Sequence, residues 1–528
     1  MMRRRHVLKA PAALLAAPLS APALAQALAQ ADTRPVISIA VQEITTSNML
    51  EMMAEQSNVG SRIFRNFVEP LIDTDWIGDM SLQPGLATSW RRISDNVVEF
   101  SLRRDVRFHN GDAFTAEDVV FSFGPDRMWG GGPLGKEPPP GATQIARRSF
   151  PGFERMEVVD SHTVRFINKT PDLTLEGQMA RTASVIANPR AFAAARSWQD
   201  WARRPIGTGP YMVTEFNPDR ILVLDAFDGH WAGRPPIRRL RFVEIPEVSS
   251  RINALLSGEV DFACDIPPDQ IAIIERNPRF EVAGGIINNT RITVFDKTHA
   301  VLSNPLIRRA LTHSIDRQAI IDALWGGRVN VPRGLNWEYY ADMFIGEHEA
   351  PRFDLSEARR LLREANYRGE PIPYRALNNY YTNQTATAQI LVEGWRAAGL
   401  NVQLQMQENW GQITARTPTR AIRDWSQTAS LPDPVAQIVP NWGRNGATWN
   451  NGEWRNDEFA TLGDFLQSSV DRAARRQAWA RMLQIVERED PGYTVLHRNG
   501  NFTAKRRDIR WKAGPSFVMD FRASNWGA

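Results

Sequence analysis

Residues 99–123 read EFSLRRDVRFHNGDAFTAEDVVFSF. The first part of this stretch predicts a β-strand, because Phe100 and Leu102 fall on one face of an alternating pattern. Asn110 and Gly111 follow, and this pair suits the positive φ angles of a tight turn. The stretch therefore predicts a strand that ends in a turn and leads into a helix.

The helix is predicted to begin with a capping box. Thr115 stands three residues before Asp118, so that each side chain can cover an exposed backbone amide of the first turn. Glu117 and Asp118 lie where the helix dipole favours negative charge. His109 has no second histidine three or four positions away with which to hold a metal ion. We therefore interpret the stretch as scaffold and not as a metal or acid/base site.

The composition is that of a folded, soluble protein of several domain-sized units. The chain has 528 residues, of which 43% are hydrophobic and 23% are charged, and these values argue against disorder and against a polytopic membrane protein. The net charge of +4 arises within residues 1–31, because removing their four basic side chains leaves 59 basic residues against 59 acidic ones. Nucleic acid is not expected as a partner, since phosphates require a clustered basic surface.

Residues 1–31 have the pattern of an export signal. A basic start is followed by an Ala- and Leu-rich middle and by Ala-x-Ala steps, and the prolines of the middle make it a poor membrane span. Residues 4–9, RRHVLK, resemble the twin-arginine export motif, and a general secretory signal is the alternative. We expect cleavage after Ala25, Ala29 or Ala31 and a mature protein located in the periplasm.

Cys264 is the only cysteine of the sequence. An intrachain disulfide and a thiolate zinc site are thereby excluded, and no cysteine follows the signal to carry a lipid anchor. The apolar neighbours of Cys264 in VDFACDI (260–266) predict a buried, inert thiol. The eight histidines are dispersed, so neither a cofactor nor a metal ion held directly by the protein is expected.

Helix and strand patterns are mixed along the rest of the chain. Residues 35–41 predict a buried strand, and the apolar residues of 61–73 recur at helical spacing. Short alternating strands are expected within 76–204. Residues 249–266 and 389–407 each predict a helix stopped by a glycine and followed by a strand. The sequence as a whole predicts the α/β class.

Four motifs occur in an order and spacing that resemble one protein family. They are LQPGLATSW (82–90), the opening stretch (99–123), PIGTGPY (205–211) and NPLIRRALTHSIDRQAI (304–320). Together they resemble the extracytoplasmic solute-binding proteins of peptide, nickel and opine ABC importers. The resemblance extends over nearly the whole mature chain.

The resemblance implies a fold and a division into domains. The fold is the two-lobed periplasmic-binding-protein (Venus-flytrap) fold, with an extra small α+β domain inserted in the first lobe. Lobe I would comprise 32–75, 205–290 and 490–528, the inserted domain 76–204, and lobe II 291–489.

The resemblance also implies a function. The protein is expected to be the periplasmic component of an ABC importer, to capture a small peptide-like, opine-like or glycosidic solute by lobe closure, and to deliver it to a membrane permease. A monomer without enzymatic activity is expected. One alternative is a receptor that presents its ligand to a sensor or chemoreceptor. Another is a secreted hydrolase, although the sequence contains no Gly-x-Ser-x-Gly, His-Glu-x-x-His or phosphate-loop motif.

One departure from the family pattern bears on the ligand. Peptide-binding members carry an aspartate three residues after a tryptophan, and it pairs with the amino terminus of the ligand. In the corresponding stretch (424–437), Trp425 is followed at that distance by Thr428. Burying an ammonium group without a carboxylate is costly, so the resemblance favours a ligand other than an ordinary peptide. Asp433 could replace the missing anchor, or could simply belong to a turn.

The other candidate ligand-binding residues are aromatic or polar side chains expected near the cleft, where rings can stack on a solute or serve ordinary packing. Those in the second lobe are Tyr380, Tyr381, Trp410, Trp425, Trp442 and Asn445. Glu43 follows the first strand in VQEITTSN (41–48), which resembles the ligand-facing loop of the family. Arg291, near the lobe boundary, could face an anionic ligand or form a surface salt bridge.

Overall fold

The computed structural model describes residues 32–378 and 380–527. The predicted export signal, residues 1–31, lies outside the described residues. Within the described ranges, no helix combines the length and the apolar character needed to cross a membrane.

The described residues form sixteen strands in three sheets. The strands are β1 (Val36–Val41), β2 (Ile72–Thr74), β3 (Leu82–Pro84), β4 (Ala87–Ser94), β5 (Val97–Leu102), β6 (Phe153–Asp160), β7 (Thr163–Asn168), β8 (Tyr211–Asn217), β9 (Ile221–Ala226), β10 (Arg239–Glu244), β11 (Phe262–Ala263), β12 (Phe280–Phe295), β13 (Ile372–Leu377), β14 (Val402–Gln407), β15 (Ile422–Thr428) and β16 (Tyr493–Arg506). The largest sheet has ten strands in the order β14-β13-β15-β12-β16-β11-β1-β10-β9-β8.

Seventeen α-helices of the described residues accompany these strands. They are α1 (Asn58–Ile63), α2 (Ala116–Ser122), α3 (Pro140–Ser149), α4 (Leu175–Gln178), α5 (Pro189–Ala194), α6 (Trp198–Arg203), α7 (Val248–Ser257), α8 (Pro268–Glu275), α9 (Pro305–His313), α10 (Arg317–Trp325), α11 (Leu355–Glu364), α12 (Gln384–Ala398), α13 (Trp410–Thr414), α14 (Val435–Trp442), α15 (Ala447–Asn450), α16 (Asp457–Ser468) and α17 (Arg472–Gln484). Gly258 ends α7 and Gly399 ends α12, each in the left-handed conformation, which confirms both predicted glycine stops.

Two long antiparallel strands, β12 and β16, join the two halves of the ten-stranded sheet. Residues 280–286 pair with 500–506, and residues 290–294 pair with 493–498, with irregularities between Ile286 and Thr290 and between Arg291 and Ile292. We call the half around β1 and β8–β11 the first lobe and the half around β13–β15 the second lobe. Each lobe has its own buried apolar core, and a further cluster joins residues of both lobes beside these crossing strands.

A separate four-stranded antiparallel sheet, in the order β4-β5-β7-β6, forms a small domain with the helices that cover it. Its core is rich in phenylalanine, and the ring of Phe123 meets Phe150 and Phe166 edge-to-face with centroids 5.2 and 5.6 Å apart. Such pairs add stabilisation beyond simple burial. We call this unit the small domain.

The opening stretch folds as its sequence predicts. β5 contains Phe100 and Leu102, Gly111 has a φ of 88°, and α2 begins with the reciprocal capping box of Thr115 and Asp118. His109 has a structural contact, because its Nε2 lies 2.9 Å from the carbonyl oxygen of Gly209. Burial lowers the pKa of His109 to about 4, so the ring is neutral near pH 7.

The helix predicted over 61–73 is wrong beyond its first turn. The chain leaves α1 at Ile63, forms a single 3-10 turn over Phe64–Asn66 and enters strand β2 at Ile72. Pro70 has no amide hydrogen to donate, which opposes a continuous helix at that point. The apolar residues recur at helical spacing because this segment is buried on several sides, and not because they form one face of a helix.

Cys264 is buried, as predicted. Its Sγ lies 3.6 Å from Sδ of Met519 in the core of the first lobe. Burial raises the pKa of the thiol to about 11, which disfavours the reactive thiolate.

Candidate ligand-binding site

A cavity of about 380 Å³ lies where the first lobe, the small domain and the second lobe meet. Residues 46–58 form the wall of the first lobe, residues 145–149 together with Arg181 form that of the small domain, and residues 380–441 contribute the wall of the second lobe. Small-molecule sites in proteins have volumes from about 300 Å³ upward, so this cavity can hold a small solute.

The wall of the first lobe is a loop organised around one buried carboxylate. Glu55 accepts hydrogen bonds from the backbone amides of Thr46, Ser47 and Ser57 at 2.9, 2.9 and 3.0 Å. Ser57 then caps α1 by accepting from the amide of Gly60 at 2.9 Å. Because a single carboxylate gathers three amides, the loop is held in one conformation before a solute arrives.

The wall of the second lobe is aromatic. The ring of Tyr380 meets Tyr381 and Trp410 edge-on, with centroids 4.7 and 5.0 Å apart. Trp425 lies in β15 on the same side and also lines the cavity. Rings fixed by their neighbours give a solute a rigid surface on which to stack.

Arg291 supports this wall from behind. Its guanidinium lies 3.6 Å from the ring centroid of Tyr381 and donates to Asp424 at 2.5 Å and to the carbonyl of Trp425 at 3.1 Å. Asp424 also accepts from Gln384 at 3.0 Å. Arg291 is therefore buried and paired with a carboxylate. The sequence predicted either a ligand contact or a surface salt bridge for Arg291, and the structure has a buried ion pair instead.

The structure brings five of the residues predicted from the sequence to the cavity. They are Tyr380, Tyr381, Trp410, Trp425 and Thr428. Glu43 lines a neighbouring groove of about 760 Å³ that shares Tyr380 and Trp410 with the cavity.

Besides Glu43 and Arg291, three predicted residues do not line the cavity. Trp442 is fully buried beneath Trp425, where it packs in the core of the second lobe. Asp433 is held by Arg475 through two hydrogen bonds of 2.8 and 3.0 Å. Asn445 is exposed in the turn after α14. Its φ of 60° lies in the left-handed region, which asparagine adopts more readily than most residues. The side chains of Trp442 and Asp433 are thus occupied by contacts within the second lobe.

Thr428 occupies the position at which the family resemblance places an aspartate. Its hydroxyl accepts a hydrogen bond of 2.7 Å from Asn289, so this part of the wall is polar but uncharged. The residues that line the cavity include no aspartate and no glutamate. Nor do the described residues contain a cluster of three side chains able to hold a metal ion.

Sequence reasoning missed two arginines of the small domain, Arg148 and Arg181, that line the cavity. Arg148 lies in the last turn of α3, beside the exposed Arg147. Arg181 follows α4, and its nearest acidic neighbour in sequence, Glu176, is bound to Arg92. Neither residue belongs to a recognisable sequence motif. The sequence showed only that each arginine stands in an apolar run without a free acidic neighbour.

Replacing Glu43 with glutamine is expected to remove a pH dependence of stability. Burial, and then the charges of Glu244 and Glu55, raise the pKa of Glu43 from 4.5 to about 8. Between these values the native state binds more protons than the unfolded chain, so the free energy of unfolding falls as pH rises through this window. Urea unfolding at pH 5 and pH 8.5 should show the variant gaining stability over wild type at the higher pH. The exposed Glu117→Gln variant is the control. If the difference in stability between Glu43→Gln and wild type were the same at pH 5 and pH 8.5, the prediction would be contradicted.

Two lobes joined by crossing strands, with a polar and aromatic cavity between them, define a class of protein that encloses a small solute. The chain belongs to the bacterial extracellular solute-binding proteins, family 5, whose model for the middle region matches residues 81–449. The family resemblance read from the four sequence motifs is thereby confirmed.

Comparison with individual proteins agrees with this membership. The di/tripeptide-binding protein 2 of Pseudomonas aeruginosa is 25% identical over 480 residues, which cover 84% of this chain and 86% of the relative. A dipeptide-binding protein of Pseudoalteromonas sp. SM9913, solved with Met-Leu, superposes with a TM-score of 0.83 at 21% identity, covering 93% of this chain and 99% of that one. NikA of Staphylococcus aureus, solved with Ni(L-His)2, gives a TM-score of 0.79 at 19% identity, covering 92% and 99%. The predicted two-lobed α/β fold is confirmed.

Proposed function

We propose that this protein is the solute-binding component of an ABC importer. It encloses a small organic solute between its lobes and delivers the solute unchanged to a membrane permease. The single observation that carries this proposal is the cavity, because its walls come from both lobes and from the small domain. A solute that contacts all three walls stabilises the closed arrangement, which is the state that a permease can distinguish from the open one.

Direct contacts between the walls support the proposed closure. The amide of Asn58, at the start of α1, donates to the hydroxyl of Tyr380 at 3.3 Å. The side chain of Asn58 donates to the hydroxyl of Ser426 at 3.2 Å. On the other side, Arg181 reaches the carbonyl of Ala436 at 3.4 Å. These hydrogen bonds are few and long, and a solute that contacts both walls adds to them and to the packing of the small domain against α14.

The crossing strands supply the hinge. We propose the division into lobe I (32–75, 205–290, 490–528), inserted domain (76–204) and lobe II (291–489). The irregularity of β12 between Ile286 and Thr290 supports the boundary near 290, since a break in a strand ladder is where a sheet bends most easily.

The lining of the cavity supports binding without chemistry. Asn58, Ser426, Gln427 and Asn441 present amides and hydroxyls that suit hydrogen bonding to a polar solute. Hydrolysis of a glycoside would need two carboxyl groups about 5–9 Å apart, and the lining residues include none. We therefore propose that the protein is not an enzyme.

We also propose that residues 1–31 direct export to the periplasm and are then removed, and that the mature protein is a monomer. The intact mass of protein recovered from the periplasm identifies the cleavage site, and light scattering gives the oligomeric state.

The ligand class is tested by a thermal-shift screen of the mature protein. Relatives named above bind di- and tripeptides, Met-Leu and a nickel-histidine complex, so the screen includes peptides, blocked peptides, opines, glycosides and metal chelates. A ligand present at one hundred times its Kd stabilises the folded state by about 2.7 kcal/mol. A shift with no turnover of the compound supports the proposal, whereas turnover in the same wells would contradict it.

Replacing Trp410 with alanine is expected to weaken binding of any solute found in that screen by about 10- to 100-fold. Trp410 forms part of the aromatic wall but is not part of the fully buried core, so its loss should alter the melting temperature little. Isothermal titration calorimetry gives the affinity. Trp449→Ala is the matched control, because that ring packs against Arg444 and Arg455 away from the cavity. Equal affinities of the two variants would place the solute elsewhere.

A further inference from the structure

We propose that Arg148 and Arg181 form an anion subsite in the cavity, and that the solute is an acid whose carboxylate lies between them. This inference rests on the proposed function and names the class of solute that the site accepts. It also accounts for the neutral residue at Thr428, because an acid without an ammonium group needs no carboxylate partner.

The two arginines lack the partners that other arginines of this chain have. Arg148 makes no hydrogen bond and no ion pair with any described residue, and Arg181 donates only to the neutral oxygens of Gln178 at 3.3 Å and Ala436 at 3.4 Å. By contrast, the buried Arg127 is paired with Glu51 at 2.7 Å. Both arginines are half-buried. A guanidinium partly withdrawn from water without an anion is costly, and a bound carboxylate removes that cost.

The two charges also repel each other. Burial lowers the pKa of both side chains, and the charge of Arg148 contributes to lowering that of Arg181 to about 10. Both remain protonated near pH 7, so the ligand-free cavity holds two uncompensated cations. An oxyanion between them replaces this repulsion with two attractive charge-assisted contacts, and a planar guanidinium matches a carboxylate through paired hydrogen bonds.

Among the residues that the structure describes, no acidic side chain pairs with these arginines. Asp424 and Asp433 are each bound to another arginine, and Glu55 accepts the amides of its own loop. The lining residues themselves include no carboxylate. The charged side chains that line the cavity are therefore both cationic, which favours an acid over the free ammonium group of an unmodified peptide.

The wall of the second lobe suits the uncharged part of such an acid. The side-chain oxygen of Gln427 accepts hydrogen bonds from the side-chain amides of Gln437 and of Asn441, the latter at 2.8 Å. This network fixes the direction of three amides that line the cavity. Amide or hydroxyl groups of the solute can bind there while its carboxylate lies at the arginines.

The test uses matched probes and matched variants. Wild type, Arg148→Gln, Arg181→Gln and the control Arg147→Gln are each titrated with citrate, N-acetylglutamate and inorganic phosphate at constant ionic strength, with chloride as the blank. Thermal shift and calorimetry report binding. We expect the carboxylic acids to stabilise wild type and Arg147→Gln, and to bind the other two variants at least about tenfold more weakly. The phosphate arm separates a general oxyanion site from a carboxylate site.

Two further controls keep the result decisive. If a glutamine variant does not fold, Arg148→Lys and Arg181→Lys retain the charge without the paired donors and should bind with intermediate affinity. Equal acid binding by all four proteins would contradict the subsite. The subsite would also be contradicted if the wild-type protein bound none of the acids. If a neutral or cationic solute from the screen bound in that case, the proposed function would stand. A protein that binds no class of solute contradicts both proposals.

Discussion

Replacing Arg291 with methionine is expected to lower the free energy of unfolding by about 3–5 kcal/mol. The substitution leaves the buried carboxylate of Asp424 with only neutral donors, among them the side chain of Gln384 at 3.0 Å. An unpaired charge inside a protein costs far more than the lost contact itself. Urea unfolding followed by circular dichroism measures the change.

The matched control is Arg396→Met on helix α12. Arg396 is exposed and pairs with Glu393 at 3.0 Å, so its loss should cost less than about 1 kcal/mol. The double variant Arg291→Met with Asp424→Asn should recover much of the loss, because the buried charge is then absent. A stable Arg291→Met single variant would show that Arg291 is not committed to Asp424, and would return it to the set of residues free to face an anionic ligand.

Replacing Gly207 with alanine is expected to cost about 3 kcal/mol, the upper end for overpacked sites. A Cβ at this position would lie 2.2 Å from the carbonyl oxygen of Phe67 and 2.8 Å from Cγ1 of Val68. Backbone atoms cannot move aside as a flexible side chain can, so the segments that contain Gly207 and Phe67 must move apart. The same close approach surrounds Gly209, whose added Cβ would lie 2.7 Å from the carbonyl carbon of Phe67.

The control for Gly207 is Gly285→Ala in the crossing strand β12. An added Cβ there meets no atom within 4 Å, and the backbone is not left-handed. We expect a change within about 1 kcal/mol in either direction. Similar melting temperatures for the two variants would contradict the account of the PIGTGPY motif as a site of close backbone packing within the first lobe.

Local features of the fold were predictable from the sequence because their causes lie within a few residues. The capping box at Thr115, the turn at Gly111 and the glycine stops at Gly258 and Gly399 each depend on side-chain and backbone chemistry at adjacent positions. The failure over residues 61–73 has the opposite origin, since tertiary packing there overrides a helical pattern.

Long-range pairing was beyond local reasoning. Strand β12 pairs with β16 some two hundred residues later, and nothing in either sequence specifies that partner. The family resemblance supplied the two lobes instead. It could not supply the ion pair of Arg291 and Asp424, whose members stand 133 positions apart and meet only because β12 and β15 are neighbours.

The candidate site was predictable in part for the same reason. The aromatic wall lies in one lobe, in the part of the chain that the family resemblance assigns to lobe II, so Tyr380, Trp410 and Trp425 were recognisable. Arg148 and Arg181 belong to the small domain, and they face the cavity only because that domain packs against α14 of the second lobe. Their importance depends on missing partners, which a sequence does not reveal.

The central claim is that a solute binds unchanged between the lobes. A crystal structure of the protein with the strongest ligand from the thermal-shift screen tests it most directly. The account predicts an intact solute in the cavity, in contact with Trp410 and Trp425, with an acidic group within about 3 Å of Arg148 and Arg181. A solute bound outside this cavity, or one found there as the product of a reaction, would contradict it.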